Sequence, residues 1–198
     1  MLPLVVVGND VVDLGDPEAL PAALHPRFGE RVLAPLERAR VAAASEPAAL
    51  LWAHFAAKEA AYKAVVKLRP GAIFAHRRFT VSEDLGSVSF EELHLRLRVE
   101  RTEQRVHALA FLGPEPLSRV EERVGDPSSE ARRLLRELLA SRLACDPDEL
   151  TVVRREDPTR FDGLGPPRVY LRGRLLEVDP SLSHHGRFAA CAVALPLA

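Results

Sequence analysis

The chain has 198 residues, 47% hydrophobic and 28% charged, enough for one ordinary domain or two small lobes with a buried core. Its 27 basic and 28 acidic residues leave a net charge of −1, so no overall field favours nucleic acid or an anionic membrane surface. Two cysteines, Cys145 and Cys191, without ligand-pair spacing argue against a disulfide scaffold or a structural zinc, and no run approaches the ~20 apolar residues of a membrane span. The first residues lack the basic start and long apolar stretch of a secretory signal, so the expected location is cytoplasmic.

The first predicted element lies in "LVVVGNDVVDLGD", where Leu4–Val7 and Val11–Val12 have the β-branched character of a buried strand. Asp10 and Asp13 interrupt it. A carboxylate removed from water costs several kcal/mol unless it is paired or bound to a metal, so Asp10 marks either a turn over Gly8–Asp10 or a site. "HPRFGERVLAPLERARVAA" has helical composition broken at Pro35, and residues 48–68 read as a long helix ended by "RPG". In "LHLRLRVE" Leu93, Leu95, Leu97 and Val99 alternate with His94, Arg96, Arg98 and Glu100, the period of a strand with one face buried. Thr102–Gln104 turn it back into "RVHALAFL". "GPEP" at 113–116 is the strongest break, and Asp126 and Pro127 then cap a helix with a leucine stripe. Strand candidates follow at 150–153, 168–171 and 187–195. Residues 1–115 and 126–198 thus form two α+β halves around a linker at 113–125, without enough repetition to define a sequence repeat.

The long helix carries "WAHFAAKEAAYKAV". At 3.6 residues per turn Trp52, Phe55, Tyr62 and Val66 share a sector with Glu59 in its middle, and Lys58 points well away from it. Glu59 and Lys63 form either an i,i+4 ion pair or part of a site in which Glu59 joins Asp10 on a divalent cation. Mg²⁺ takes one or two carboxylates and completes its shell with water and phosphate, which points to phosphate chemistry. Near the end, "PSLSHHGRFAACAVAL" places Ser181, Ser183, His184, His185 and Arg187 before an apolar strand. Such a donor-rich run is either a polar turn or an anion site; zinc on the paired histidines lacks further ligands. The P-loop, dinucleotide-binding, nucleophile-elbow and zincin motifs are absent.

Together "GND" at 8–10, "KEAAYK" at 58–63 and "SLSH" at 181–184 resemble the G-x-D, K-E-A-x-x-K and S-x-S-H motifs of the 4′-phosphopantetheinyl transferase superfamily. "HPRFGERVLAP" is similar to the segment after the first strand of holo-acyl-carrier-protein synthases. The resemblance implies transfer of phosphopantetheine from coenzyme A to a serine of an apo acyl or peptidyl carrier protein, releasing 3′,5′-ADP. It implies Asp10 and Glu59 as Mg²⁺ ligands, Lys63 on the leaving phosphate, and Glu59 or a metal-bound water as acceptor of the serine proton. Ser183 and His184 would hold coenzyme A phosphate, with Lys58 among the coenzyme contacts. Where many larger members have G-K-P this chain has "GPP" at 165–167, so Arg160 or Arg168 would supply the positive charge. The acid that follows the motif Asp closely in enzymes of the surfactin-synthetase-activating type is missing, the next acid being Asp13.

Motif order bears on architecture. In the surfactin-type enzymes the half with S-H precedes the half with G-x-D and K-E-A; here the order is reversed. The resemblance therefore implies an α+β fold of two similar lobes in a permuted pseudo-dimer, a monomer with one coenzyme A site. Arg27 and Arg31 are candidates for docking an acidic carrier helix. The alternatives are a metal-dependent phosphohydrolase acting on a nucleotide and an inactive carrier-binding module of the same fold.

Overall fold

In a computed structural model, residues 5–158 and 163–196 are described. The apolar start forms β1 (Val6–Asp13), every residue of it buried, so the two acids lie within a strand and not in a turn. After two short 3₁₀ turns come α1 (Phe28–Val32) and α2 (Pro35–Ala43). Pro35 divides them because a proline suits the first turn of a helix, where no N–H is needed. The same device opens α3 (Pro47–Leu68). Then come β2 (Phe79–Val81), β3 (Ser87–Phe90), β4 (Leu93–Arg101) and β5 (Arg105–Leu112), which with β1 make an antiparallel sheet in the order β1-β5-β4-β3-β2. Leu95 and Leu97 of β4 are buried and His94, Arg96 and Arg98 exposed, as the alternation predicts.

The segment expected as a linker, 113–125, contains β6 (Leu117–Glu122). Its pairing with a distant strand makes it part of a second sheet and corrects the linker reading. Asp126 caps α4 (Pro127–Leu143), accepting from Ser129 N at 2.8 Å. The rest of the chain forms β7 (Leu150–Glu156), β8 (Leu164–Leu171), β9 (Arg174–Leu175), β10 (Asp179–His185) and β11 (Phe188–Ala194), in sheets ordered β10-β11-β6 and β7-β8-β9. All pairings are antiparallel. The chain is an α+β protein with four α-helices among the described residues. None of its described helices is long and apolar enough to cross a membrane.

The layers follow from side-chain alternation. Ala190, Ala192 and Ala194 of β11 pack toward β1 and β5, and Ala189, Cys191 and Val193 pack toward Leu134, Leu135 and Leu139 of α4. Burial on both faces explains why β11 reads as one apolar run. On the far side of the five-stranded sheet, α3 presses Ala53, Ala56, Ala57, Ala60, Ala61 and Ala64, all fully buried. The expected stripe of Trp52, Phe55 and Tyr62 flanks this alanine face and is not itself the most deeply buried one. Between the two sheets Asn9 and His107 are buried, with the Asn9 amide and His107 Nε2 lacking hydrogen-bond partners among the described residues.

Candidate functional site

Gly8 explains why Asp10 meets α3. A Cβ on Gly8 would stand 1.9 Å from the Ala60 carbonyl oxygen, so the glycine and the alanine face allow strand and helix backbones to touch. Two residues along the same face, Asp10 Oδ1 lies 2.8 Å from Lys63 Nζ, and the same ammonium donates to Asn9 O at 3.0 Å. The Ser183 hydroxyl donates to Oδ1 at 2.9 Å. Burial pushes the Asp10 pKa up; Lys63 opposes this, and the nearby charge of Glu59 adds to it.

Glu59 lies one turn before Lys63 and remains partly exposed, at the edge of the core rather than within it. Its Oε1 is 3.3 Å from His76 Nε2, an atom with no aligned hydrogen bond among the described residues. The imidazole is stacked on Phe55, ring centres 5.1 Å apart, and abuts Phe74 at 4.3 Å. One turn after Lys63, Lys67 donates to Val7 O, Asp179 Oδ2 and Pro180 O at 2.7–2.8 Å, joining α3, β1 and β10.

A cleft of about 330 Å³ opens between α3, α4, β7, β8 and β10. Glu59, Lys63, Lys67, Arg132, Arg154 and His184 line its polar part, and Tyr62, Val66, Leu182, Pro166 and Pro167 its apolar part. Cations beside an apolar wall suit a ligand with phosphates at one end and a flat or apolar group at the other. Desolvation, reinforced by Lys63 and Arg123, lowers the His184 pKa, and a bound anion would favour its protonated form.

Several expected contacts fall elsewhere. Lys58 is sealed from solvent, donating to Glu37 Oε2 at 2.5 Å and Val32 O at 2.8 Å, so it holds α2 and cannot touch a ligand in the cleft. Arg168 is exposed and does not line the cleft. The guanidinium beside "GPP" belongs to Arg154, paired in register with Pro167 and donating to Gly165 O at 2.8 Å and Leu164 O at 3.0 Å. Arg160 lies outside the described residues. Ser183 is turned into the seam between β10 and β1, while its neighbour His184 reaches the cleft. Asp13, on the opposite face of β1 from Asp10, is gripped by Arg187 at 2.7 and 2.8 Å, which lowers its pKa to about 2 and leaves it no part in a cation site at Asp10. Sequence reasoning missed His76, Lys67, Arg132 and Arg154; for Lys67 a signal existed in the spacing 59, 63, 67.

Among the described residues no cluster of three or more His, Cys, Asp and Glu side chains could hold a metal. A cation at Asp10 and Glu59 would thus keep most of its shell for water and phosphate, a donor set that fits Mg²⁺ and not zinc. The family model of the 4′-phosphopantetheinyl transferase superfamily matches residues 6–112, more than half of the chain, and the chain belongs to that superfamily of transferases. The matched span includes Asp10, Glu59 and Lys63; the S-x-S-H stretch lies beyond it. No curated protein matches the chain.

Proposed function

We propose that the chain is a Mg²⁺-dependent transferase of the holo-acyl-carrier-protein synthase type, moving 4′-phosphopantetheine from coenzyme A to a serine of an apo carrier protein and releasing 3′,5′-ADP. The observation that carries this reading is the meeting of Asp10, Glu59 and Lys63 beside a cleft whose other walls bring Arg132, Arg154 and His184. A pyrophosphate needs that concentration of positive charge, and the apolar wall suits the adenine or the pantetheine arm.

The carrier serine Oγ attacks the phosphorus nearer the pantetheine arm, its proton passes to the Glu59 carboxylate, and the bond from that phosphorus to the bridging oxygen breaks. Two N–H groups of Lys63 are committed to Asn9 O and Asp10, which aims the third at the leaving phosphate. Arg132 and His184 hold phosphate on the far wall. Asp10 and Glu59 would hold Mg²⁺, which neutralises charge building on the pyrophosphate oxygens.

Both walls come from one chain, which supports a monomer with a single coenzyme A site. Helix and hairpins recur in residues 1–115 and 126–198, which supports the permuted pseudo-dimer. Arg27, at the N-cap of α1, and Arg31, within it, are both exposed and fit a docking face for an acidic carrier helix. The unpaired Cys145 and Cys191 suit a reducing cytoplasm.

The test is incubation with coenzyme A, Mg²⁺ and an apo carrier protein, followed by the intact mass of the carrier. Gain of one phosphopantetheine group supports transfer. Consumed nucleotide with an unmodified carrier would mark a phosphohydrolase, and neither change would mark a binding module.

A further inference from the structure

Strand β10 does more than deliver His184 to the cleft. Four backbone N–H groups along one edge of β1, those of Val7, Asn9, Val11 and Asp13, donate to the side chains of Asp179, Ser181, Ser183 and His185 at 2.7, 2.9, 3.2 and 3.1 Å. Each pair is separated by 172 residues, so the strands run side by side in one register, joined through β10 side chains rather than β10 backbone. Of the four, Ser183 alone also touches Asp10. A hydroxyl has one proton: with the Val11 N–H occupying a lone pair, that proton goes to Asp10 Oδ1 at 2.9 Å. Lys63 engages the same Oδ1 at 2.8 Å, and no described residue donates to Oδ2.

We propose that Ser183 is a positioning residue for the metal site: it fixes the Asp10 carboxylate from across the seam, leaves Oδ2 open to a divalent cation, and so places metal affinity under the control of the second half of the chain. The inference rests on the metal-dependent transferase reading. It replaces a direct contact of Ser183 with coenzyme A phosphate, because the buried hydroxyl has no second proton to give and would have to release Asp10. Hydrogen bonds to ligating carboxylates orient them, and their removal typically weakens metal binding about 10- to 100-fold.

The experiment is Mn²⁺ titration of the full chain without coenzyme A, followed by electron paramagnetic resonance, beside coenzyme A binding measured in chelator. Ser183→Ala is expected to weaken Mn²⁺ about tenfold or more with coenzyme A affinity unchanged, and Ser183→Thr to restore it. His185→Ala loses a bond of the same ladder without touching Asp10 and should bind Mn²⁺ like wild type. If Ser183→Ala does not fold, Ser183→Cys, close in volume and a weak donor, should show the same loss. Wild-type Mn²⁺ affinity in Ser183→Ala, or equal losses in Ser183→Ala and His185→Ala, would overturn the inference and leave the transferase reading intact. A wild-type chain that neither binds Mn²⁺ nor modifies a carrier would overturn both.

Discussion

Glu59 combines nearness to a second carboxylate with partial exposure, which suits a group that must meet substrate and exchange a proton. Because it contributes little to the core, Glu59→Gln should leave the melting temperature nearly unchanged. Losing the proton acceptor and one side of the cation site together should cost several kcal/mol of barrier, or about 10³-fold or more in kcat; near-full activity would remove Glu59 from the mechanism. His107 makes a prediction about stability. Burial, helped by Arg98 and Arg105, lowers its pKa to about 3, so the folded protein keeps the ring neutral. Below the ordinary value of 6.5 the unfolded chain takes up a proton that the folded chain refuses. Its contribution is complete above that value, is lost at about 1.4 kcal/mol per pH unit as pH falls, and levels off below about 3. Denaturant unfolding of His107→Leu at pH 7 and pH 4.5 should show a shallower pH dependence than wild type.

At the scale of elements, the ion pair of Lys58 with Glu37 locks α2 against α3. Glu37 also accepts from Ala34 N at 2.7 Å and Val81 N at 2.9 Å, so one carboxylate ties two helices to β2. Lys58→Met should destabilise the fold by about 3–5 kcal/mol by leaving that carboxylate buried without its cation. Adding Glu37→Leu should recover part of the loss; a lower melting temperature in the double variant would show that the backbone bonds of Glu37 matter more than the pair. The K-E-A motif was legible as sequence, yet the burial of Lys58 was not, since the wheel of α3 says nothing of α2 folding over it. Periodicity revealed β4, β5, α3 and α4 because each carries a long one-sided apolar pattern. It missed β2 and β3, which are three and four residues long. It also missed β10, whose inward positions carry Asp179, Ser181, Ser183 and His185 in place of apolar residues, a polar strand that reads as a loop. Asp10, Glu59, Lys63 and His184 were legible because the motifs that carry them are local; Arg154 was not, because only the register of β7 with β8 brings it to Pro167.

Over the whole molecule, the layers run α3, five-stranded sheet, three-stranded sheet, α4, and the cleft lies where α3 and α4 approach the same stretch of β10. The first 112 residues supply the acids and Lys63; the remainder supplies His184, Arg132 and Arg154. A site divided in this way within one chain predicts a monomer in sedimentation velocity that binds one coenzyme A. A trimer with its site between chains would contradict it. The most direct test of the account follows both halves of coenzyme A, with one label in the pantetheine arm and another in the adenine. With the chain, Mg²⁺ and an apo carrier, the pantetheine label should move to the carrier and the adenine label to free 3′,5′-ADP in equal amounts. Release of adenine label while the carrier stays unlabelled would contradict the account.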